Sequence, residues 1–374
     1  MRKKICLVCS VQFTYEKFLK NIIKDLSKED YEISCLFNWD NSKFKPIQEG
    51  VIFKNIVIKR NASPINIIRS IIKLLFYFKT HEFDLIQVHT PIASISARIA
   101  AKLAGCKCIV YKIHGFYFHE NMPVLQRYMH IIMEILLAKI TSKFYLVSRE
   151  DTLFASMIGM KKKEDIFYIG NGINSELFKP INFEEKCEAK SDLGLKEENL
   201  VIGFVARLVE EKGVRLFVEA LENLAHKLPD WKFCIIGSSH LGMNKKMSLF
   251  AKTYSKKFLA IGKQAYFTGY LSHDEVQKKM RDASIVVVPS LWDEPFGLVV
   301  AEAMSNGAAI IASFSGGIPE IIGKNGIVIE EIKKTKLENA ILFIASDKKS
   351  LKKYQKLSWK NFKHTAIESS KKLD

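Results

Sequence analysis

The sequence lacks the features of a membrane-spanning or exported protein. No window of its 374 residues reaches the roughly 18 uninterrupted apolar residues that a spanning helix needs. The opening residues, Met-Arg-Lys-Lys, lead directly into a short apolar run, without the longer hydrophobic region or the cleavage site of an export signal. We therefore predict a cytoplasmic protein.

Cysteine is scarce and scattered. The chain has seven cysteines, an odd number without regular spacing, so no disulfide framework is predicted. Cys6 and Cys9 have the spacing of a CxxC pair, but they lie in an apolar run that predicts a buried strand, and no second ligand pair is near. No metal site and no cofactor is therefore predicted.

Acidic residues are too few to balance the basic ones. The chain has 57 Lys and Arg against 40 Asp and Glu, a net charge of +17, of which the first 170 residues carry +11 and the rest +6. This excess predicts an anionic partner, such as a phosphate-bearing substrate, a nucleic acid or an anionic membrane surface, or else it serves solubility alone. No nucleic-acid-binding module is recognisable, so no nucleic-acid partner is expected.

Two helical stretches in the first half are amphipathic. The stretch 65–78 includes Arg69 and Lys73, and the stretch 124–140 mixes apolar residues with three charged ones. Such a pattern predicts either a helix that faces the core of a domain or a helix that lies on a membrane surface. The sequence leaves both alternatives open.

Short β-branched runs alternate with helical patterns along the whole chain. The predicted strands are 4–10, 32–37, 85–89, 108–113, 144–147, 200–206, 232–236, 265–268, 284–289, 308–312 and 326–329. The predicted helices of the first half are 15–27, 64–79, 92–104, 124–140 and 149–158. Strand-helix alternation of this kind predicts parallel sheets that are covered by helices on both faces.

The alternation is interrupted once, by a polar stretch at 182–199 that has no periodicity. We therefore predict an α/β protein of two doubly wound, Rossmann-like domains that face each other across a cleft. The first domain spans 1–170 and is completed by a C-terminal helix at 355–374. The second domain spans 171–354.

The segment 289–304 carries the most chemistry. A buried strand is predicted to end at Pro289, a loop then carries Glu294, and a helix begins near Phe296 and runs through Glu302. The backbone amides at this helix N-terminus suit a phosphate. The amides that we expect to bind it belong to Phe296, Gly297 and Leu298.

The spacing of the two carboxylates resembles a known signature. Glu-Pro-Phe-Gly-Leu-x-x-x-Glu-Ala, from Glu294 to Ala303, is similar to the motif of retaining, nucleotide-sugar-dependent glycosyltransferases of the GT-B fold, in family GT4. The segment 203–213 resembles the first strand-loop-helix of that family, in which an Arg and a Lys hold the donor diphosphate. The resemblance implies this role for Arg207 and Lys212, and a donor-binding role for Glu294 and Glu302.

The resemblance extends to the first half. The segments 89–95 and 111–119 are similar to the subgroup that assembles capsular, exopolysaccharide or related surface glycans, which implies that His114 hydrogen-bonds the donor sugar. A further glycine turn, 316–321, resembles a family element whose amides meet the sugar or the phosphate.

The implied function is transfer of a sugar from a nucleoside diphosphate, with UDP expected, to a lipid-linked or lipopolysaccharide-type glycan. The implied mechanism needs no protein nucleophile, since the acceptor attacks from the leaving-group face and the donor phosphate takes its proton. The resemblance also implies that the first domain lies on the acceptor side and that the second binds the donor. The charge asymmetry and the two amphipathic stretches predict that the first domain docks on an anionic membrane surface, at the inner face of the cytoplasmic membrane. A nucleotide-sugar epimerase or hydrolase and a non-catalytic partner subunit remain as alternatives.

Overall fold

The computed structural model describes residues 2–40, 44–58, 63–119, 122–173, 178, 200–237 and 245–363. They form two compact units, Met1–Gly170 and Asn171–Asp374. The polar stretch 182–199 lies outside the described residues. Among those that are described, no helix is both long and apolar enough to cross a bilayer.

The first unit is built on a seven-stranded parallel sheet. Its strands are β1 (Lys3–Val11), β2 (Tyr31–Asn38), β3 (Val51–Asn55), β4 (Leu85–His89), β5 (Cys108–Ile113), β6 (Lys143–Leu146) and β7 (Ile166–Tyr168). Their spatial order is β3-β2-β1-β4-β5-β6-β7, and every neighbouring pair is parallel. The order reverses between β1 and β4, as in doubly wound folds.

Helices cover both faces of this sheet. They are α1 (Gln12–Thr14), α2 (Lys20–Leu26), α3 (Pro64–His81), α4 (Pro91–Leu103), α5 (Val124–Ala138) and α6 (Arg149–Met157). Between α1 and α2 the chain makes a π-helical turn, Tyr15–Leu19, which places Leu19 in the core. Strand β1 is buried on both sides, because Cys6 packs in the core under α3 and α4 while Leu7 packs in the core under the π-helical turn. Burial raises the pKa of the Cys9 thiol to about 12, which keeps that thiol protonated at neutral pH.

The second unit repeats the plan with six strands. They are β8 (Leu200–Val205), β9 (Trp231–Ile236), β10 (Ala265–Gly269), β11 (Ile285–Val288), β12 (Ala309–Ser313) and β13 (Ile327–Ile329), in the spatial order β10-β9-β8-β11-β12-β13. Its helices are α7 (Val214–Leu224), α8 (Lys245–Leu259), α9 (His273–Asp282), α10 (Leu298–Ser305), α11 (Ile318–Ile322), α12 (Lys334–Ala345) and α13 (Lys348–Lys360). Strands β8 and β11 are neighbours at the point where the order reverses, so the loops after them meet at one edge of the sheet.

The last described helix, α13, covers the beginning of a predicted element. A helix over 355–374 was expected to complete the first unit; residues 355–360 form the end of α13, which contacts strands and helices of the second unit. The Gln355 amide donates to the Ser284 carbonyl at 3.2 Å, and the Ser358 hydroxyl contacts the Asn325 carbonyl at 3.5 Å. The rest of the predicted helix, 364–374, lies outside the described residues.

Two strands were not predicted from the sequence. Strand β3 lies at the sheet edge with only partial burial, so its residues lack a continuous apolar run. Strand β7 has only three residues, at the opposite edge. Edge strands bury one side or less, and their sequence signal is correspondingly weak.

Candidate active site

The motif segment forms a strand, a loop and a helix, as predicted, with a later helix start. Strand β11 ends at Val288, and α10 begins at Leu298 with Gly297 as its N-cap in the left-handed region, at φ +88°. Phe296 therefore lies before the helix, buried in the loop, rather than in its first turn. The Val300 amide donates to the Gly297 carbonyl at 2.9 Å. The first two backbone amides of α10 are therefore those of Leu298 and Val299.

The Glu294 carboxylate lies in a cluster of polar groups. Its Oε1 atom forms an ion pair with the Lys212 Nζ atom and lies 3.0 Å from the Ser290 hydroxyl. The side chains of Lys212 and Glu294 are 21% and 16% exposed, so water screens this pair only in part. The structure thus brings together two of the predicted site residues, which are 82 positions apart in the sequence.

Close backbone packing fixes the loop that carries Lys212. The turn Glu210–Lys212 leads into Gly213, which adopts φ +73° and caps α7. A Cβ atom at Gly213 would lie 1.9 Å from the Pro289 carbonyl oxygen, so only glycine permits this approach. The Leu291 amide also donates to the Glu211 carbonyl at 2.9 Å. The loops after β8 and β11 are thereby held together as one surface.

A second loop supports Glu294 from behind. The Gly317 amide donates to the Glu294 carbonyl at 2.7 Å, and a Cβ atom at Gly316 would lie 2.3 Å from that same carbonyl oxygen. The glycine turn at 316–321 was predicted to offer its amides to a sugar or a phosphate. The Gly317 amide instead bonds the backbone of Glu294, so this part of the turn positions the loop.

Arg207 lies at the same edge with a partner of its own. Its guanidinium donates to the Glu211 carboxylate at 3.2 Å, and both side chains are about half exposed. An exposed pair of this kind contributes little to stability and exchanges partners readily. To hold a diphosphate, Arg207 has to replace Glu211 as its partner.

Glu302 is a buried carboxylate on the inner side of α10, only 4% exposed. Its Oε1 atom lies 4.0 Å from the Nε2 atom of His273, the first residue of α9. The His273 ring in turn packs against the Phe178 ring with 5.1 Å between centroids. This carboxylate has hydrogen-bonding capacity that no described side chain uses beyond the contact with His273.

His114, the predicted sugar-binding residue of the first unit, follows β5 and pairs with His89. The His114 Nε2 atom lies 3.0 Å from the His89 Nδ1 atom, and Phe18 of the π-helical turn packs on His114 with 4.3 Å between ring centroids. Among the described residues, the His114 Nδ1 and His89 Nε2 atoms have no hydrogen-bond partner. The His114 Nδ1 atom is also buried, so a sugar hydroxyl can bind His114 only when this pair opens or the ring turns.

The histidine pair has a buried cation beside it. Lys112 is two residues before His114, and its backbone pairs with His89 in the parallel register of β4 and β5. Burial lowers the pKa of Lys112 to about 8. Burial, followed by the nearby Lys112 charge, lowers the pKa of His89 well below its ordinary range, and burial, followed by His89 and Lys112, does the same to the pKa of His114. Both imidazoles are consequently neutral at pH 7.

Replacing Lys112 by methionine is expected to stabilise the protein at pH 7 by about 1–3 kcal/mol, because the folded state then no longer buries a cation. The pKa of Lys112 is lower in the folded than in the unfolded state, so the free-energy cost of burying its charge is complete below about pH 8. This cost decreases as pH rises toward the unfolded pKa of about 10.4. In urea unfolding, the free energy of unfolding of Lys112→Met should exceed that of wild type, and this difference should shrink by about 1 kcal/mol between about pH 7 and about pH 9. The exposed Lys107→Met is the matched control; an equal gain from both variants would contradict the assignment.

Some residues of these clusters were missed by sequence reasoning. Ser290 falls inside the motif segment, but a serine in a loop carries no signal of its own. His89 lies in a segment that resembled the family, and its pairing with His114 follows from the parallel register of β4 and β5. Lys112 could have been found by its alternation with His114 along one buried strand.

No group of three or more His, Cys, Asp or Glu residues in the described part of the chain is arranged to hold a metal ion. The independence from metal that the sequence predicts stays a prediction.

Comparison with known protein families covers most of the chain. The pattern of the glycosyl transferase 4-like family matches residues 4–146, and the pattern of the glycosyl transferases group 1 matches residues 185–361. Both site loops of the second unit and the His89–His114 pair of the first lie within the matched ranges.

Individual relatives agree with these families. The chain is 28% identical over 293 residues to the Escherichia coli UDP-Gal:alpha-D-GlcNAc-diphosphoundecaprenol alpha-1,3-galactosyltransferase, covering 77% of this chain and 73% of that protein. It is 26% identical over 205 residues to the Salmonella typhimurium lipopolysaccharide 1,2-N-acetylglucosaminetransferase, covering 52% and 53%.

Solved structures show the same fold. The crystal structure of Anabaena Alr3699/HepE in complex with UDP and glucose superposes with a TM-score of 0.79 at 19% identity, covering 100% of this chain and 98% of that one. The two Rossmann-like sheets agree with that fold. The predicted fold class and family are thus confirmed, and the chain belongs to the GT4-type glycosyltransferases of the GT-B fold.

Proposed function

We propose that this glycosyltransferase moves a sugar from a UDP-sugar to a lipid-linked or lipopolysaccharide-type glycan, with retention of the anomeric configuration. The observation that carries the proposal is the contact of Lys212 with Glu294 beside the N-terminus of α10. At one edge of the second sheet, this contact brings together a cation that could bind the leaving diphosphate and a carboxylate that could bind the sugar.

The proposed diphosphate site combines two cationic side chains with the backbone amides of a helix N-terminus. Lys212 and Arg207 each have a carboxylate partner in the free protein, Glu294 and Glu211. A bound diphosphate would compete for both cations and would receive further hydrogen bonds from the first amides of α10. As the bond to the sugar breaks, negative charge grows on the diphosphate, and these groups stabilise it more strongly than in the ground state.

The two carboxylates have separate tasks in this proposal. Glu302 lies one turn inside α10 and would accept hydrogen bonds from the ribose hydroxyls of the nucleotide. Once Lys212 turns to the diphosphate, Glu294 is free to bind a sugar hydroxyl. By the family resemblance, His114 would hydrogen-bond the donor sugar. The acceptor oxygen attacks the anomeric carbon on the side of the leaving diphosphate, and its proton passes to a diphosphate oxygen.

The acceptor class is inferred from two relatives. The name of the Escherichia coli relative specifies a diphosphoundecaprenol-linked sugar as its acceptor, and the Salmonella relative is named for lipopolysaccharide. We propose by this similarity that the acceptor here is a glycan on a lipid carrier, met at the inner face of the cytoplasmic membrane.

The test is product analysis with a panel of UDP- and GDP-sugars, each with and without a lipid-linked glycan acceptor. We expect a new glycosidic bond that forms only with acceptor present and retains the anomeric configuration of the donor. We expect the transfer to continue in the presence of EDTA. Free sugar or an epimerised donor formed equally well without acceptor would instead identify a hydrolase or an epimerase. A protein that binds no nucleotide-sugar in this panel would contradict the proposal and favour a non-catalytic partner subunit.

A further inference from the structure

The outward side of α3 exposes a stripe of large apolar side chains. Residues spaced by three or four positions share one side of a helix, and here that side turns to solvent. Its members are Ile65, Ile68, Ile72 and Phe76, and Phe76 is 76% exposed. The opposite side of α3, with Leu74 and Phe78, packs in the core, so the helix is apolar on both sides.

Helix α5 repeats this arrangement. Its exposed apolar residues are Val124, Leu125, Tyr128, Met129, Ile132 and Leu136, and Leu125 is 77% exposed. Both helices pack against α4 on the same face of the first sheet. By contrast, α12 of the second unit exposes one large apolar residue, Phe343, which is ordinary for a protein surface.

The charges on these two helices have one sign at the surface. Arg69, Lys73 and Lys79 are exposed on α3, which contains no acidic residue. The only carboxylate of α5, Glu134, is turned inward and forms a buried ion pair with Arg98 at 2.8 Å. The exposed side of α3 therefore combines apolar and cationic groups. Helix α5 adds apolar groups and the partly exposed Arg127, and neither helix exposes a carboxylate.

We propose that the outward sides of α3 and α5 form a docking surface for an anionic lipid bilayer. Apolar side chains flanked by cations match the boundary between acyl chains and anionic headgroups. A second copy of the chain fits less well, because like charges would face each other across the contact. The inference builds on the proposed function, since a lipid-carried acceptor resides in such a bilayer.

Co-sedimentation with vesicles tests the surface. Wild type should bind phosphatidylcholine vesicles that contain phosphatidylglycerol and should bind pure phosphatidylcholine far less. Raising salt from about 0.1 M to about 1 M shortens the screening length from about 10 Å to about 3 Å and should release most of the protein. Binding that is equal for both vesicle types, or absent for both, would overturn the proposal.

Matched variants separate the surface from general effects of charge. Phe76→Glu should weaken vesicle binding about tenfold or more, and Lys73→Gln about fivefold. Phe343→Glu on α12 and Lys278→Gln on α9, both at exposed positions, should leave binding unchanged. An equal loss of vesicle binding in the α3 variants and in these controls would refute the docking surface. A wild-type protein that forms dimers without lipid, which Phe76→Glu dissociates, would also refute it.

A soluble acceptor distinguishes this inference from the proposed function. With a glycan on a short, water-soluble lipid chain, Phe76→Glu should retain wild-type turnover while it loses vesicle binding. A wild-type protein that binds anionic vesicles but transfers no sugar would refute the proposed function and leave the docking surface intact. Normal sugar transfer by a wild-type protein that binds no vesicles would refute the docking surface and leave the proposed function intact.

Discussion

Lys212→Ala is expected to weaken UDP binding and to lower turnover, each about ten- to hundredfold, because a charge-assisted contact of this kind is worth roughly 1.5–3 kcal/mol. Arg207→Ala should act in the same direction. Calorimetry with UDP and initial rates with the intact donor measure the two effects separately. Arg215→Ala removes an exposed ion pair with Glu210 on the same helix start and serves as the control.

The contact between Lys212 and Glu294 sharpens this prediction. Lys212→Ala leaves the Glu294 carboxylate without its cation, close to where the diphosphate would bind, so repulsion adds to the lost attraction. The double variant Lys212→Ala/Glu294→Ala should therefore bind UDP better than Lys212→Ala alone, a coupling that a double-mutant cycle measures. Wild-type UDP affinity in both single cation variants would show that the phosphate site is elsewhere.

Glu294→Ala and Glu302→Ala are expected to separate turnover from nucleotide binding. In the proposed site Glu302 contacts the ribose in the ground state, so UDP affinity of Glu302→Ala should fall about tenfold or more. The proposed role of Glu294 is to orient the sugar as its bond breaks, so turnover of Glu294→Ala should fall about ten- to hundredfold. Free UDP should bind Glu294→Ala at least as well as wild type, since Lys212 is released from its partner.

The measurement is UDP affinity beside kcat for both variants. Melting temperatures identify any loss that comes from unfolding, which matters for Glu302 because its side chain is buried. Equal losses of UDP affinity in the two variants would disprove the division of tasks.

The strands that hold the site could be read from the sequence because they are central. Strands β8 and β11 lie in the interior of their sheet, where burial on both faces gives continuous apolar runs. Their carboxyl ends therefore predicted that Lys212 and Glu294 lie at one edge. The edge strands β3 and β7, which bury less, escaped the same reasoning.

Contacts within the site could not be read in this way. The start of α10 is set by Gly297 in the left-handed region, which delays the helix beyond Phe296. The choice of Glu294 as partner of Lys212 depends on how closely Gly213 approaches Pro289, a contact between distant parts of the chain. Side chains that meet through tertiary packing leave no periodic trace in the sequence.

The π-helical turn at Tyr15–Leu19 holds one residue more than an α-helical turn would. Glu16 and Lys17 in this turn point to solvent, while Leu19 anchors the core and Phe18 covers His114. Removing one of the two exposed residues would restore α-helical geometry and rotate the chain after it by about 100°. Leu19 and Phe18 could not then both keep their contacts. An alignment of this chain with a relative one residue shorter between β1 and β2 should consequently place its gap inside this turn.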